Sequence, residues 1–205
     1  MSSMVDAQAG DMGVAAPRPR GRPRSEAAAT AVLDAAYRLS ASEGLRGATM
    51  QAIAAESGVS KMTIYKWWDS RLALLIDAYM RQATLMLPIS QTDAPVAAIC
   101  DHAVRYIEAL QGPLGRVQMA VLGECWAENG NADLFVERYL SIRRALGVST
   151  IARGKADGSV RSGLSAELLY DQIYGTIFYR YQFGLGGLET SEVSALVKAI
   201  LDSHA

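Results

Sequence analysis

Between Thr49 and Ser70 the chain reads TMQAIAAESGVSKMTIYKWWDS, and helix-starting residues recur in it too closely for a long element to form. Thr49 is placed to cap a helix over Met50 to Glu56. Gly58 supplies a turn, Ser60 caps a third short helix, and Asp69 or Ser70 caps a fourth that runs to about Met86. Such residues start helices because their side-chain oxygens accept hydrogen bonds from the otherwise unpaired N–H groups of the first turn. Two short helices across a glycine turn are the layout of a helix-turn-helix.

The same stretch closes on Trp67 and Trp68, two of only three tryptophans in 205 residues. Adjacent helical side chains point about 100° apart, so the pair cannot share one buried stripe. Trp68 stands four residues after Ile64, and these two face Ile53 and Val59 in a small core. Ala54 is small enough for the helices to cross closely. Met62, Thr63, Tyr65 and Lys66 then point outward, with Lys61 and Trp67 on the flanks. Ammonium and hydroxyl groups suit phosphates and base edges, while Met62 and Thr63 suit thymine methyls, so the outward face fits a DNA major groove. Trp67 at the boundary can lid the core or offer its N–H to a phosphate.

The remaining chain is punctuated helix, and no strand-like alternation is sustained. A first helix spans about Ser25 to Glu43, with Ala28, Ala31, Val32, Ala35, Ala36 and Leu39 on one stripe and Gly44 as its stop. Pro88, Pro95 and Pro113 mark later boundaries. Further helices are expected at about 94–111, 114–129, 131–154, 165–185 and 190–202, with a connecting loop at 155–161. The fold class is all-α.

Charge is uneven along the chain. From Ala15 to Arg71 there are nine Lys and Arg against five Asp and Glu; the rest holds eleven against sixteen. A basic first third on an acidic body points to an anionic partner such as nucleic acid. Residues 1–24 lack an apolar period and contain APRPRGRPR, so they are expected to be disordered unless bound. Its core, Pro19-Arg-Gly-Arg-Pro23, is similar to an AT-hook, in which Arg20 and Arg22 would lie along a narrow A·T minor groove.

Thr49, Ala52 to Ala55, Gly58 to Ser60, Thr63 to Lys66 and Ser70 together resemble the DNA-binding domain of the TetR family of bacterial transcriptional regulators. Trp67-Trp68 stand where that pattern has a His or Tyr followed by Phe, and Arg71 stands in place of a Lys. A cation at Arg71 runs against the helix dipole, which is understandable if it holds a phosphate with that helix's free N–H groups. The resemblance implies a basic arm at 1–24, a helix-turn-helix domain at 25–71 and a helical effector and dimerisation domain at 72–205. It implies a homodimer on double-stranded operator DNA, formed through the helices at about 165–185 and 190–202, and a repressor that responds to an unknown small molecule. Gly175, mid-helix, would permit close packing there.

A ligand cavity would lie among the helices of 94–129 and 131–185. Tyr106, Met119, Cys125, Trp126, Tyr170, Tyr174 and Phe178 are its candidate lining, although ordinary core packing accounts for any one of them. Glu124 is the acid expected to meet a polar or cationic ligand, and His102 reads as a surface or satisfied core residue.

Other classes leave weaker traces. There is no GxSxG elbow, P-loop, HExxH or dinucleotide fingerprint, so no catalytic residue is assigned and an enzyme is disfavoured. An architectural DNA-binder would need little of the long apolar C-terminal half. Cys100 and Cys125 form no CxxC pair, so neither a metal site nor a cofactor is expected. No apolar run approaches the roughly 18 residues of a membrane span, and no secretory signal opens the chain, which predicts a cytoplasmic protein.

Overall fold

The computed structural model describes residues 26–186 and 188–202, and the described residues are helical with no strand. The basic arm, with Arg20 and Arg22, lies outside them. Helix α1 (Glu26–Gly47) buries Ala29, Val32, Ala35, Ala36 and Leu39 on one stripe. Gly44 breaks it with φ 72°, where a side chain is disfavoured, and a final turn runs on to Gly47.

The three expected caps start three helices. Thr49 Oγ1 accepts from Ala52 N at 3.1 Å and opens α2 (Met50–Ser57). Ser60 Oγ accepts from Thr63 N at 3.2 Å and opens α3 (Lys61–Trp67), after a turn in which Gly58 takes φ 70°. Ser70, rather than Asp69, accepts from Ala73 N at 3.0 Å and opens α4 (Arg71–Met86). Each bond satisfies an N–H that the helix itself cannot, and each is worth about 1 kcal/mol.

Helices α5 (Pro95–Leu110) and α6 (Pro113–Asn129) both begin with proline at the first position, where no N–H is needed. The helix expected at 131–154 is more elaborate. A single turn α7 (Asp133–Phe135) leads into a π-helical segment, Val136–Leu140, and then α8 (Ser141–Ala156). One π turn inserts a residue into the helical ladder and shifts the facing of everything beyond it. The chain ends in α9 (Ala166–Gln182) and α10 (Thr190–Leu201). In the α8–α9 loop, Arg161 N and Ser162 N donate to Leu201 O at 3.0 and 3.2 Å, tying the end of α10.

Helix α4 joins the two ends of the molecule. It packs against α1, α6 and the π segment, and α1 also packs directly on α6. Leu72, Leu74, Leu75, Ile76, Ala78, Tyr79 and Ala83 are buried along it, so apolar contact is continuous from Ala29 in α1 to Leu201 in α10. Motion at either end must pass through this helix or around it.

Candidate DNA-reading face and ligand cavity

Helix α3 divides as its sequence dictates. Ile64 and, just past the helix end, Trp68 are buried, whereas Met62 is 75% and Tyr65 54% exposed beside exposed Lys61 and Lys66. Two large apolar side chains exposed together on one short helix make a small patch that a partner could cover. Trp67 is half-buried and lies edge-on to Trp68, with ring centroids 5.9 Å apart and planes at 73°. Of the indole pair, Trp68 is core and Trp67 is its partly open lid.

Two residues assigned to the DNA face have other work. Thr63 is half-buried, and its hydroxyl lies 2.9 Å from the hydroxyl of the capping Ser60. Arg71 was expected to hold a phosphate, but its guanidinium donates to Leu45 O at 2.8 Å and forms an ion pair with Glu124 of α6. That pair links the α4 N-terminus to the C-terminal half. It corrects both expectations at once, since Glu124 faces Arg71 and not the cavity.

A second polar link starts at the end of α3. Trp68 Nε1 donates to Asp77 Oδ2 at 2.8 Å, and Arg138 of the π segment donates to both oxygens of Asp77 at 3.0 and 2.9 Å. The indole that closes the small core is thus bonded, through one α4 carboxylate, to the segment that walls the cavity.

That cavity has a volume of about 340 Å³ and lies between α5, α6, the π segment, α8 and α9. The π turn places Val136, Tyr139 and Leu140 in its wall, and Arg143 follows one turn later. Deep in it the polar groups satisfy one another. Gln118 Oε1 accepts from Tyr79 at 2.7 Å and from Tyr106 at 3.3 Å. Arg143 donates to Leu87 O and lies 2.9 Å from His102 Nε2, while His102 Nδ1 is 2.6 Å from the Tyr174 hydroxyl.

Burial and then the charges of Arg143 and Arg105 push the pKa of His102 down to about 3, so the ring is neutral at physiological pH. Its Nε2 then accepts from Arg143 and its Nδ1–H donates to Tyr174. Burial likewise raises the phenols of Tyr106 and Tyr174, which stay protonated.

A profile described as "Bacterial regulatory proteins, tetR family" matches residues 32–78, and one described as "Tetracyclin repressor-like, C-terminal domain" matches residues 89–200. The second alone spans more than half of the chain. The chain belongs to the TetR family of transcriptional regulators. An uncharacterized HTH-type transcriptional regulator of Bacillus subtilis (strain 168), YdeS, is 35% identical over 161 residues, covering 78% of this chain and 81% of its own. The crystal structure of the TetR family transcription regulator SCO0332 superposes with a TM-score of 0.76 at 28% identity, over 86% of this chain and 97% of that one. FadR from Bacillus subtilis, solved in complex with stearoyl-CoA, shares the fold, with a TM-score of 0.59 at 16% identity over 84% of this chain and 97% of its own.

As in that family, the N-terminal helix-turn-helix is the DNA-binding part and the C-terminal part is helical. Of the cavity residues read from the sequence, Tyr106, Tyr170, Tyr174 and Phe178 line it. Met119, Cys125 and Trp126 do not: Cys125 is fully buried core, and Trp126, one turn beyond Leu122 on α6, is 57% exposed outside the cavity. Their neighbour Gln118 takes the inward place on α6. His102 is a satisfied core residue, as expected, but one that forms cavity wall.

Arg143, Tyr139, Phe135 and Gln118 escaped the sequence reading. A signal for the first three existed. Phe135, Tyr139, Arg143, Gly147 and Ile151 recur every four residues, and all are buried, so a charged residue stands in the middle of an apolar stripe.

No helix among the described residues is long and apolar enough to cross a membrane. Among them, too, no cluster of three or more His, Cys, Asp or Glu side chains could hold a metal ion.

Proposed function

We propose that this regulator is a homodimeric repressor that reads a specific operator with α3 and leaves it when a small molecule enters the cavity. The observation that carries this reading is the Trp68–Asp77–Arg138 bridge, which bonds the end of the reading helix to the cavity wall. A ligand that moves the π segment pulls on Asp77, tilts α4 and changes the separation of two reading helices that must lie about 34–36 Å apart to meet successive major grooves. The coupling arises from unequal ligand affinity for the two spacings. At a typical 1–3 kcal/mol, it lowers operator affinity roughly 5- to 150-fold.

The division of labour places the DNA-binding unit at 25–71 and the effector and dimerisation unit at 72–205, with α4 as the lever. Met62, Tyr65, Lys61 and Lys66 meet the groove; Thr49, Thr63 and Trp67 stand at its edge, and Arg20 and Arg22 of the arm take the minor groove. Dimerisation uses α9 and α10. In its support, Leu168, Tyr179 and Phe183 leave an uncovered apolar stripe on α9. Gly175 on the same helix is exposed but belongs to the cavity lining, so the open space beside it is shared with the cavity.

The test is a gel shift on the regulator's own upstream DNA, followed by titration of any cavity ligand with and without that DNA. Linkage requires the two to weaken each other by the same factor. Ligand binding of equal strength in both titrations would remove the switch and leave a DNA-binding dimer that does not sense that compound. Removal of residues 1–24 should flatten the salt dependence of binding by about one log–log unit for every phosphate the arm neutralises. An unchanged slope would reduce the arm to a tail.

A further inference from the structure

The cavity carries a charge that nothing among the described residues balances. Arg143 is 4% exposed, lines the cavity, and has neutral partners in the Leu87 carbonyl and the His102 ring. It takes part in none of the ion pairs among the described residues. Burying a guanidinium without a counter-charge is strongly unfavourable, and this stripe position would accept leucine or methionine. The only acid in the lining, Asp171, is already taken: Arg144 grips it with two bonds of 2.8 and 2.7 Å. The ionised side chains of the lining therefore sum to one unmatched positive charge, at Arg143.

The neutral groups beside it are set to donate. Because His102 Nε2 accepts from Arg143, its Nδ1–H is spent on the Tyr174 oxygen, and the Tyr174 hydroxyl hydrogen is left to point elsewhere. Arg143 and Tyr174, both in the lining, thus form a donor pair with no acceptor of negative charge among the described residues. Leu122, Phe135, Leu140 and Phe178 supply an apolar wall for the rest of a guest.

We propose that the cavity takes an amphipathic monocarboxylic acid, its carboxylate paired with Arg143 and hydrogen-bonded by Tyr174, its carbon skeleton along that apolar wall. A planar two-oxygen anion matches the guanidinium fork, and a single unmatched charge suits a monoanion better than a phosphate dianion. The volume is that of about eleven waters at roughly 30 Å³ each, enough for a medium-chain or aryl-alkyl acid. The tyrosines around the cavity could instead cradle a cation by their ring faces, but the charge of Arg143 in the same wall opposes one. This inference rests on the ligand-responsive reading above and narrows it to a chemical class.

The experiment uses the full chain and calorimetric titration with hexanoate, octanoate, decanoate and 3-phenylpropanoate, each against its primary amide, and with hexyltrimethylammonium. At least one acid should bind at least about tenfold more tightly than its amide. Arg143→Gln should abolish that preference, and Tyr174→Phe, which keeps the ring and the fold, should reduce it several-fold. The assignment is overturned if acid and amide bind alike, if the ammonium binds in preference, or if no acid of the series binds. It is overturned too if Tyr174→Phe and a folded Arg143→Gln keep the full preference. Failure of the switch would look different: a compound would bind in the cavity and operator affinity would not change.

Discussion

The DNA-reading end and the cavity are built on opposite plans. Helix α3 is shaped by neighbours in sequence: each of the three caps around it bonds an N–H three residues on. The cavity is shaped by distant ones. His102 meets Arg143 across 41 positions and Tyr174 across 72. A local plan lets the outward residues of α3 change with the operator while the helix persists. A long-range plan ties cavity chemistry to the packing of five segments, so its polar groups cannot be exchanged singly.

That contrast can be broken most violently at Trp68, a side chain that serves both ends. Trp68→Ala should destabilise the fold by roughly 3–5 kcal/mol, read by chemical denaturation, because it empties a buried site and also strips a donor from Asp77. A loss below about 1 kcal/mol would show that the small core does not depend on it.

The cavity should be the acid-sensitive end. His102 titrates at about 3 in the folded chain against 6.5 for the free side chain, so between those values the unfolded chain binds the extra proton. Its contribution is fully present above pH 6.5 and is lost as pH falls, at up to about 1.4 kcal/mol per unit. His102→Asn should remove this slope near pH 5–6. An equal slope in the variant would assign acid sensitivity to other groups.

The bridge between the two ends comes next. Asp77→Asn should destabilise by about 1–3 kcal/mol, since it leaves Arg138 without its carboxylate. Its sharper effect is on communication: operator affinity should persist while its response to ligand shrinks. Undiminished response would move the coupling to the Arg71–Glu124 pair. The smallest effect belongs to the local plan itself. Ser60→Ala should lose about 0.5–2 kcal/mol and weaken DNA binding without touching ligand affinity measured by titration.

The same contrast explains what could be read in advance. Caps, glycine stops and proline starts are written within a few residues of where they act, so nearly every helix boundary in the chain was legible. The exposed face of α3 followed from Ile64 and Trp68 sharing one stripe. The cavity was legible only as far as helical stripes reach. Tyr106, Tyr170, Tyr174 and Phe178 line the cavity, but Cys125 is core and Trp126 lies one turn beyond the last α6 residue of its wall. The π segment was invisible because one inserted residue leaves no compositional mark, yet it decides which side chains of the following helix turn inward. Arg71 was misread for a related reason. Its local setting at a helix start argued for phosphate, while the partner that claims it, Glu124, lies 53 positions away.

Gly147 brings a further consequence. A Cβ at this position in α8 would stand 2.3 Å from the ring of Tyr170 in α9, so the ring packs directly against the α8 backbone. Any larger residue there must displace a ring that lines the cavity, or move the helix that carries it. Helix α9 also bears the uncovered stripe at Leu168, Tyr179 and Phe183. Where the ring cannot turn aside, a larger residue at that contact shifts α9 and the outer stripe with it. On the proposed reading, a change in which molecule is recognised and a change in how two copies meet can then be, at that glycine, one mutational step.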